Sequence, residues 1–477
     1  MNSSDECSLA LASPAAMALA FSALNLSAYA LNARTSSAFE MDWLGVKTPV
    51  PVMAGEKDKR RTYETVVIRT SVHSPAERCK SCLAGAALEM AFGRLRAILS
   101  LIVFDCLLIC VLALLKGLTL EGLLLQAARM KILHNPFRGV GLSGVALADI
   151  PLPSVDAKAS LALLQRCPHS GQTPLLRADD IAAHTSVAAV HLKDERGRMG
   201  LGSFKALGAA YVIARDAEAG VARGQTYLTA SAGNHGLSLA AGAAAFGAHA
   251  VIYIADTVPE SFAERLRSMG ARVVRSGADY EASMAAAMTA AARDGAKLLS
   301  DSSWAGYVDR PFRVTEGYLA LMAEVFDQID EPPTHLFLQA GVGGLAGAAA
   351  AAARVAWDDQ TRIIVVEPEA APALIASIEA GKPVETTGPI SAMGRLDCKV
   401  PSLIALKGLA RDADDFVTLT EEEGNNGAEQ AGGFGYKTTP SGAAGLSALL
   451  TLGVHREALG VTAQSRALAI LSEGPEG

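Results

Sequence analysis

From residue 130 onward the sequence predicts an α/β fold built on open parallel sheets. Three observations carry this: short apolar strands alternate with Ala-rich helices, the connections are a few residues long, and glycine- or serine-bearing loops fall at strand ends. In order, Val187–Leu192 precedes Phe204–Ala214, Tyr227–Thr229 precedes Gly236–Ala245, Ala250–Ile254 precedes Ser261–Met269, and Arg272–Arg275 precedes Tyr280–Ala292. The pattern resumes with Leu336–Leu338, Leu345–Ala356 and Ile363–Val366. Gly247 and Gly270 stand where left-handed C-caps end helices.

The composition agrees. A chain of 477 residues corresponds to roughly three domains of about 150 and can bury a substantial core. Half of it is apolar and 19% charged, and its 44 glycines keep no Gly-X-Y period, which excludes a disordered or collagenous protein. With 42 basic and 49 acidic residues the net charge is −7, which leaves no electrostatic footprint for nucleic acid. Seven cysteines are too few for a disulfide scaffold, and five of them (Cys7, Cys79, Cys82, Cys106, Cys110) precede residue 130 while Cys167 and Cys398 follow it. The imbalance marks a chain of two unlike parts.

Residues 1–129 read as a non-catalytic N-terminal extension, with Met130 opening a well-formed domain and standing as a candidate start. The uncharged stretch 8–32 follows Asp5 and Glu6, not the basic flank of a secretory signal. The run 97–115 has 19 residues with one charge, Asp105, close to the length that spans a bilayer. Its thirteen Leu, Ile, Val and Phe residues contribute roughly −4 to −8 kcal/mol to insertion against about +3 for the aspartate. The basic residues upstream, Lys57 to Arg96, would however place everything after the span outside the cytoplasm. Membrane contact through 97–115 is therefore the alternative, and a cytoplasmic protein is expected. Cys79 and Cys82 lack a second ligand pair at zinc-site spacing, so no metal is expected.

Three loops carry candidate chemistry. Gly200-Leu-Gly-Ser203-Phe-Lys205 runs into a helix, where a lysine among small neighbours suits Schiff-base chemistry if burial lowers its pKa, or is simply solvated. Ser231-Ala232-Gly233-Asn234-His235-Gly236 joins a strand to a helix, and its amides and side chains suit a carboxylate, although helix N-capping and a structural histidine explain the same residues. Gly341-Val342-Gly343-Gly344 follows an apolar strand and makes a phosphate cradle. Gly341 to Ala346 also fits a dinucleotide fingerprint, with Glu367 as the ribose acid. Order argues against a nicotinamide enzyme, because such a fingerprint normally sits in the first βαβ unit.

Taken together, Gln172-Thr-Pro-Leu175, Lys193-Asp-Glu195, Ser203-Phe-Lys205, Ser231 to His235 and the glycine loop resemble the fold-type-II pyridoxal-phosphate enzymes, the group of threonine and serine dehydratases and tryptophan synthase β. More closely, His134-Asn-Pro-Phe-Arg138-Gly, Asp301-Ser-Ser-Trp304-Ala-Gly-Tyr307, Val366-Glu-Pro368 and Ser472-Glu-Gly474 are similar to diaminopropionate ammonia-lyases. The likeness is collinear over about 130–474.

The resemblance implies two open parallel-sheet domains with pyridoxal 5'-phosphate between them. The large domain would comprise 130–225 and 306–477, and the small, mobile one 226–305. Lys205 would hold the cofactor as a Schiff base and move the α-proton, with Asp301 the acid on the L-substrate side. Asn234 would bond the phenolic oxygen, the amides of Gly341, Val342, Gly343 and Gly344 the phosphate, and Ser472 the pyridine nitrogen. Ser231, Ala232, Gly233, Asn234 and His235 would hold the substrate carboxylate.

Lyases of both enantiomers carry an aspartate where this chain has Ala232, which implies an L-selective enzyme. The expected reaction is β-elimination on a small L-amino acid, 2,3-diaminopropionate first, by a homodimer. Threonine or serine dehydration, β-replacement, and a catalytically silent, membrane-tethered cofactor-binding protein are the alternatives. Two departures are expected to cost stability: glycines at 424, 427, 432, 433 and 435 where the family has a helix, and an end at Gly477 where relatives continue with one.

Overall fold

The chain crosses from one parallel sheet to another and back, and the crossings bring the functional loops together. A computed structural model describes residues 130–475. In chain order its strands are β1 (Lys131–His134), β2 (Leu175–Arg177), β3 (Ala189–Asp194), β4 (Thr226–Ala230), β5 (His249–Ile254), β6 (Arg272–Arg275), β7 (Lys297–Leu298), β8 (His335–Gln339), β9 (Arg362–Pro368), β10 (Asp415–Leu419) and β11 (Arg466–Leu471). The larger sheet has seven strands in the order β1-β10-β9-β8-β11-β3-β2, and the smaller has four in the order β6-β5-β4-β7. Strands β10, β9, β8, β11 and β3 run parallel, antiparallel β1 and β2 close the edges, and the smaller sheet is parallel throughout.

Parallel strands need helical crossovers that cover both faces of a sheet, and so their residues are apolar on both sides. One apolar cluster joins the two sheets, with Leu336, Ile363 and Leu468 from the larger and Ile252 and Ile254 from the smaller. The opposite face of the larger sheet packs Val366, Val417 and Leu471 against Leu446 and Leu449. The opposite face of the smaller sheet packs Leu228 and Val251 against Ala287 and Ala290. Buried β-branched and leucine residues on adjoining strands supply the hydrophobic driving force, about 25 cal/mol per Å² of apolar surface removed from water.

The structure departs from the sequence-based expectation in two respects. The helix expected over 204–214 is broken into a 3-10 turn, Phe204–Leu207, and a helix, Ala209–Glu218. The break lies at Gly208, where a Cβ would sit 2.8 Å from the ring of Tyr318, so the glycine lets the tyrosine pass. Five strands, β1, β2, β7, β10 and β11, lie outside the expected pattern; β1 and β2 are antiparallel edges, and β11 is central, between β8 and β3. Where the resemblance implied a helix there is one, Glu421–Gly433, and it contains the glycines at 424, 427, 432 and 433. Its first turn is fixed by a capping box in which Thr420 Oγ1 accepts from the Glu423 amide and the Glu423 carboxylate accepts from the Thr420 amide. The glycines permit a close crossing over the helix Pro440–Leu450: a Cβ on Gly427 would lie 2.1 Å from Ser447 Oγ.

Cys167 and Cys398 are both free thiols. Among the described residues no helix is long and apolar enough to cross a membrane. The run 97–115, the Cys79–Cys82 pair and the remainder of 1–129 lie outside the described residues.

Replacing Gly427 by valine is expected to destabilise the protein by about 1–3 kcal/mol through overpacking, seen as a fall in the urea midpoint. Gly433, with nothing within 4 Å of a Cβ, serves as the control: Gly433→Ala should change stability by no more than about 0.5 kcal/mol.

Candidate active site

Each functional loop follows a strand end. The Ser231–Gly236 loop leaves β4, the glycine loop leaves β8, Ser472 follows β11, and Asp301 lies three residues beyond β7. The Lys205 segment is tied to the end of β11. The Phe204 amide donates to Ser472 O at 3.0 Å, the Gly474 amide donates to Gly202 O at 2.9 Å, and Ser203 pairs with Glu473. Ser203 Oγ also accepts from the Lys205 amide, capping the short turn that carries the lysine.

Lys205 and Asp301 come together from separate elements. The ammonium donates from Nζ to Asp301 Oδ2 at 2.5 Å, with the two side chains only 23% and 20% exposed. The Nζ also lies 5.3 Å from the ring centre of Phe204 and 5.7 Å from that of Tyr318. Burial works against both charges, but the lysine's carboxylate neighbour raises its pKa well above the ordinary value. Likewise Asp301 is penalised by burial yet held well below the usual carboxylate range by the Lys205 ammonium. In this pair the lysine is therefore an ammonium, and the lowered pKa that burial alone would give is overridden.

The sign of the linkage follows from these directions. The depressed Asp301 contributes stability above the ordinary carboxylate pKa of about 4 and loses it as pH falls. The raised Lys205 contributes below the ordinary amine pKa of about 10.4 and loses it as pH rises. The pair is at full strength between about pH 5 and 9.

The loop after β4 divides its labour. Asn234 begins the helix Asn234–Ala245, and its Nδ2 donates to Glu473 Oε2 at 2.6 Å. His235 is turned inward, 5% exposed, and its Nε2–H donates to the carbonyl of Leu299 at 2.8 Å. That bond fixes the tautomer with the proton on Nε2, and burial lowers the pKa, so the ring is a neutral strut under the loop. The imidazole's donor nitrogen is thus spent on Leu299, which leaves the backbone of His235 as its contribution to the loop. Ser231, Ala232 and Gly233 are each partly exposed on the outer side of the same turn.

In the glycine loop Gly343 has φ +95°, a left-handed conformation that disfavours a side chain, and it precedes the 14-residue helix Gly344–Trp357. Among the described residues the amides of Gly341, Gly343 and Gly344 donate to no carbonyl or side chain. A Cβ on Gly341 would meet Cys398 Sγ at 3.0 Å and Leu396 Cα at 3.1 Å. Unpaired amides at the start of a helix form an anion site. Glu367, the alternative ribose acid, is fully buried and accepts from the amides of Leu374 and Ile375 at 2.8 and 2.7 Å, so it caps a helix instead.

Among the described residues Ser472 Oγ has no hydrogen-bond partner. An anion cradle, a lysine amine, an amide and an unpaired hydroxyl fit pyridoxal phosphate, whose phosphate, aldehyde, phenolic oxygen and ring nitrogen they respectively match. Four further residues escape a reading of loop motifs. Tyr318 lies under the lysine, and Cys398 lies against Gly341 with its thiol pushed up to about 12 by burial and by Asp301. Glu473 reaches Asn234, and the Arg395 guanidinium lies 3.4 Å from where a Gly233 Cβ would be. Only Glu473, as part of the quoted Ser472-Glu-Gly474 motif, carried a sequence signal.

Removing the counter-charge tests the pair directly. In the cofactor-free protein, Asp301→Asn should shift the pH midpoint for acetylation of Lys205, followed by mass spectrometry, downward by about one to three pH units. An unchanged midpoint contradicts the electrostatic account.

Comparison with known proteins agrees with this geometry. The model of the family described as "Pyridoxal-phosphate dependent enzyme" matches residues 167–473. The diaminopropionate ammonia-lyase of Escherichia coli (strain K12) is 29% identical over 335 residues, which cover 63% of this chain and 84% of the relative. The crystal structure of the Escherichia coli diaminopropionate ammonia-lyase in complex with an aminoacrylate-PLP azomethine reaction intermediate superimposes with a TM-score of 0.66 at 27% identity, covering 72% of this chain and 94% of that one. The processed threonine deaminase isoform 2 of Solanum lycopersicum shares the fold, with a TM-score of 0.59 at 20% identity over 70% of this chain and 96% of that one. With the glycine cradle, the lysine and the strand-end loops all inside the matched region, the chain belongs to the pyridoxal-phosphate dependent enzyme family.

Proposed function

We propose that the protein is a pyridoxal-phosphate dependent ammonia-lyase acting on a small L-amino acid, with L-2,3-diaminopropionate as substrate. The observation that carries this reading is the Lys205–Asp301 contact of 2.5 Å beside the glycine cradle. It puts within one site an amine and a carboxylate close enough to pass a proton between them. The likeness to the Escherichia coli diaminopropionate ammonia-lyase supports the choice of substrate.

When bound, pyridoxal phosphate supplies an electron sink conjugated to the substrate's Cα. The residues do the rest. The amides of Gly341 to Gly344 hold the phosphate, Asn234 the phenolic oxygen and Ser472 the ring nitrogen. The outer face of Ser231–Gly233 and the Asn234 helix start orient the substrate carboxylate. With its amine in the neutral form, Lys205 Nζ would take the α-proton, and Asp301, 2.5 Å from that nitrogen, would relay the same proton to the departing β-amino group. Closure of the 226–305 segment over the site excludes water during the elimination. Water completes the reaction, converting diaminopropionate to one pyruvate and two ammonia.

Ala232 has no proton to exchange, so the D-face of Cα lacks an acid or base at that position. A small residue there favours, as a second reading, dehydration of L-threonine or L-serine. The resemblance also carries a cytoplasmic homodimer, a proposal that light scattering and cell fractionation check.

Purified protein loaded with cofactor should release pyruvate and ammonia in a 1:2 ratio from L-2,3-diaminopropionate, and at least tenfold more slowly from the D-isomer. Lys205→Ala should abolish release, and Asp301→Asn should lower kcat by about 10²–10⁴. Equal turnover of the two enantiomers sinks the L-selective assignment, and 2-oxobutanoate from L-threonine as the only product shifts it to the dehydratase reading.

A further inference from the structure

A buried hydroxyl without a partner stands beside the lysine. Tyr318 lies on the helix Asp309–Gln328 and is 1% exposed. Its ring packs edge-on against Phe204, with 4.9 Å between ring centres, and Lys205 Nζ lies 5.7 Å from its own centre. Its Cε2 is 3.6 Å from where a Cβ on Gly344 would be, so the ring spans from the lysine segment to the glycine loop. Among the described residues its Oη has no hydrogen-bond partner. Burial pushes the pKa up to about 12, which keeps the group a neutral O–H.

The fold makes room for this oxygen. At Gly208 a Cβ would sit 2.8 Å from Tyr318 Cε1 and 2.9 Å from Oη, and the chain between Phe204 and Glu218 is broken there. A phenylalanine would fill the ring's space without burying an oxygen. Buried polar atoms are ordinarily bonded, and one left alone calls for a reason. The ionised groups that act on this hydroxyl are Lys205 and Asp301.

The protonation state of the lysine supplies the reason. An ammonium has donors only, and here it is drawn to Asp301 at 2.5 Å. A neutral amine loses that attraction and gains a lone pair that needs a donor. The Asp301 carboxylate is an acceptor and cannot serve the lone pair, whereas a phenolic O–H can. The other titratable groups facing the pair are His235, Tyr280 and Cys398. His235 spends its N–H on Leu299, Tyr280 is 51% exposed, and a thiol is a weak donor.

We propose that Tyr318 is a positioning residue for Lys205: its hydroxyl donates to Nζ when the amine is neutral, and holds the nitrogen in the site while Asp301 no longer does. The inference rests on the reading that Lys205 acts as a neutral amine. A hydroxyl that bonds the neutral amine and not the ammonium favours loss of the proton, and so moderates the upward pull of Asp301.

The test uses the full chain, without cofactor and then with it. At one pH well below the midpoint for Lys205, its acetylation by acetic anhydride proceeds in proportion to the neutral fraction. Mass spectrometry follows it against the other lysines of the same chain. Tyr318→Phe keeps the ring and removes the oxygen. It should slow acetylation of Lys205 about tenfold, equivalent to a rise of about one pKa unit, and leave the thermal midpoint unchanged or raised. With pyridoxal phosphate and L-2,3-diaminopropionate, kcat should fall by about the same factor at unchanged KM.

An unchanged or faster acetylation rate overturns the inference, as does an unchanged kcat in an active protein. A Tyr318→Phe protein that fails to fold, or melts lower than wild type, also overturns it by making the hydroxyl part of the fold. If wild type releases no pyruvate, the ammonia-lyase reading fails, and the acetylation comparison still decides the role of Tyr318.

Discussion

The site depends on keeping two opposite charges together in a partly dry cleft. Lys205 is carried by the segment that leaves the larger sheet, and Asp301 by the segment that returns from the smaller one. At 2.5 Å, with about four-fifths of each side chain covered, neither charge is solvated well enough to stand alone. Each is the main reason the other stays ionised. The contact therefore does two jobs. It joins the outgoing and returning crossings, and it stores the proton that an elimination would have to move.

Such a contact needs a rigid frame, and a second group of buried charges helps to provide one. Lys193, Glu195, Arg198 and Glu324 are all at most 2% exposed and form a closed set of ion pairs with Thr173. Arg198 alone donates to Glu195, Glu324, Thr173 Oγ1 and the carbonyl of Gly171. Desolvation of four charges offsets most of the attraction, so the net stabilisation is small, yet breaking one member strands the others at a cost of about 3–5 kcal/mol. The set ties β3 and the turn after it to the helix Asp309–Gln328, whose Tyr318 floors the lysine. Lysine, tyrosine and aspartate are in this way referred to one framework.

Much of this was legible in the sequence because open parallel sheets place function at the carboxyl ends of strands. Strand β4 with its serine–glycine loop and strand β8 with its glycine loop announce themselves by an apolar run followed by small residues. Strand β11 lies outside the strand–helix alternation read from the sequence, and it closes the sheet by inserting between β8 and β3, a long-range placement that periodicity does not encode. The helix break at Gly208 was hidden for the same reason: it exists to let Tyr318 pass, over a hundred residues further on. The glycines of 424–433 were expected to cost stability in a helix, and what the sequence left unseen is their use: the close crossing over Ser447, with the capping box at Thr420 fixing the first turn.

The residues that sequence motifs miss share a physical character. Tyr318, Cys398 and Arg395 reach the site from a helix or a long connection, where nothing nearby in sequence signals their contacts. His235 shows the converse, a motif residue whose imidazole serves the fold by bonding Leu299. A loop motif thus specifies where the backbone must bend to present amides, which is a local property. Which side chains surround the bound group, and with what charge, is set by elements that converge from elsewhere. The surroundings of such a site are consequently a tertiary property, and Glu473, adjacent to one motif residue and bonded to another 239 positions away, belongs to both levels.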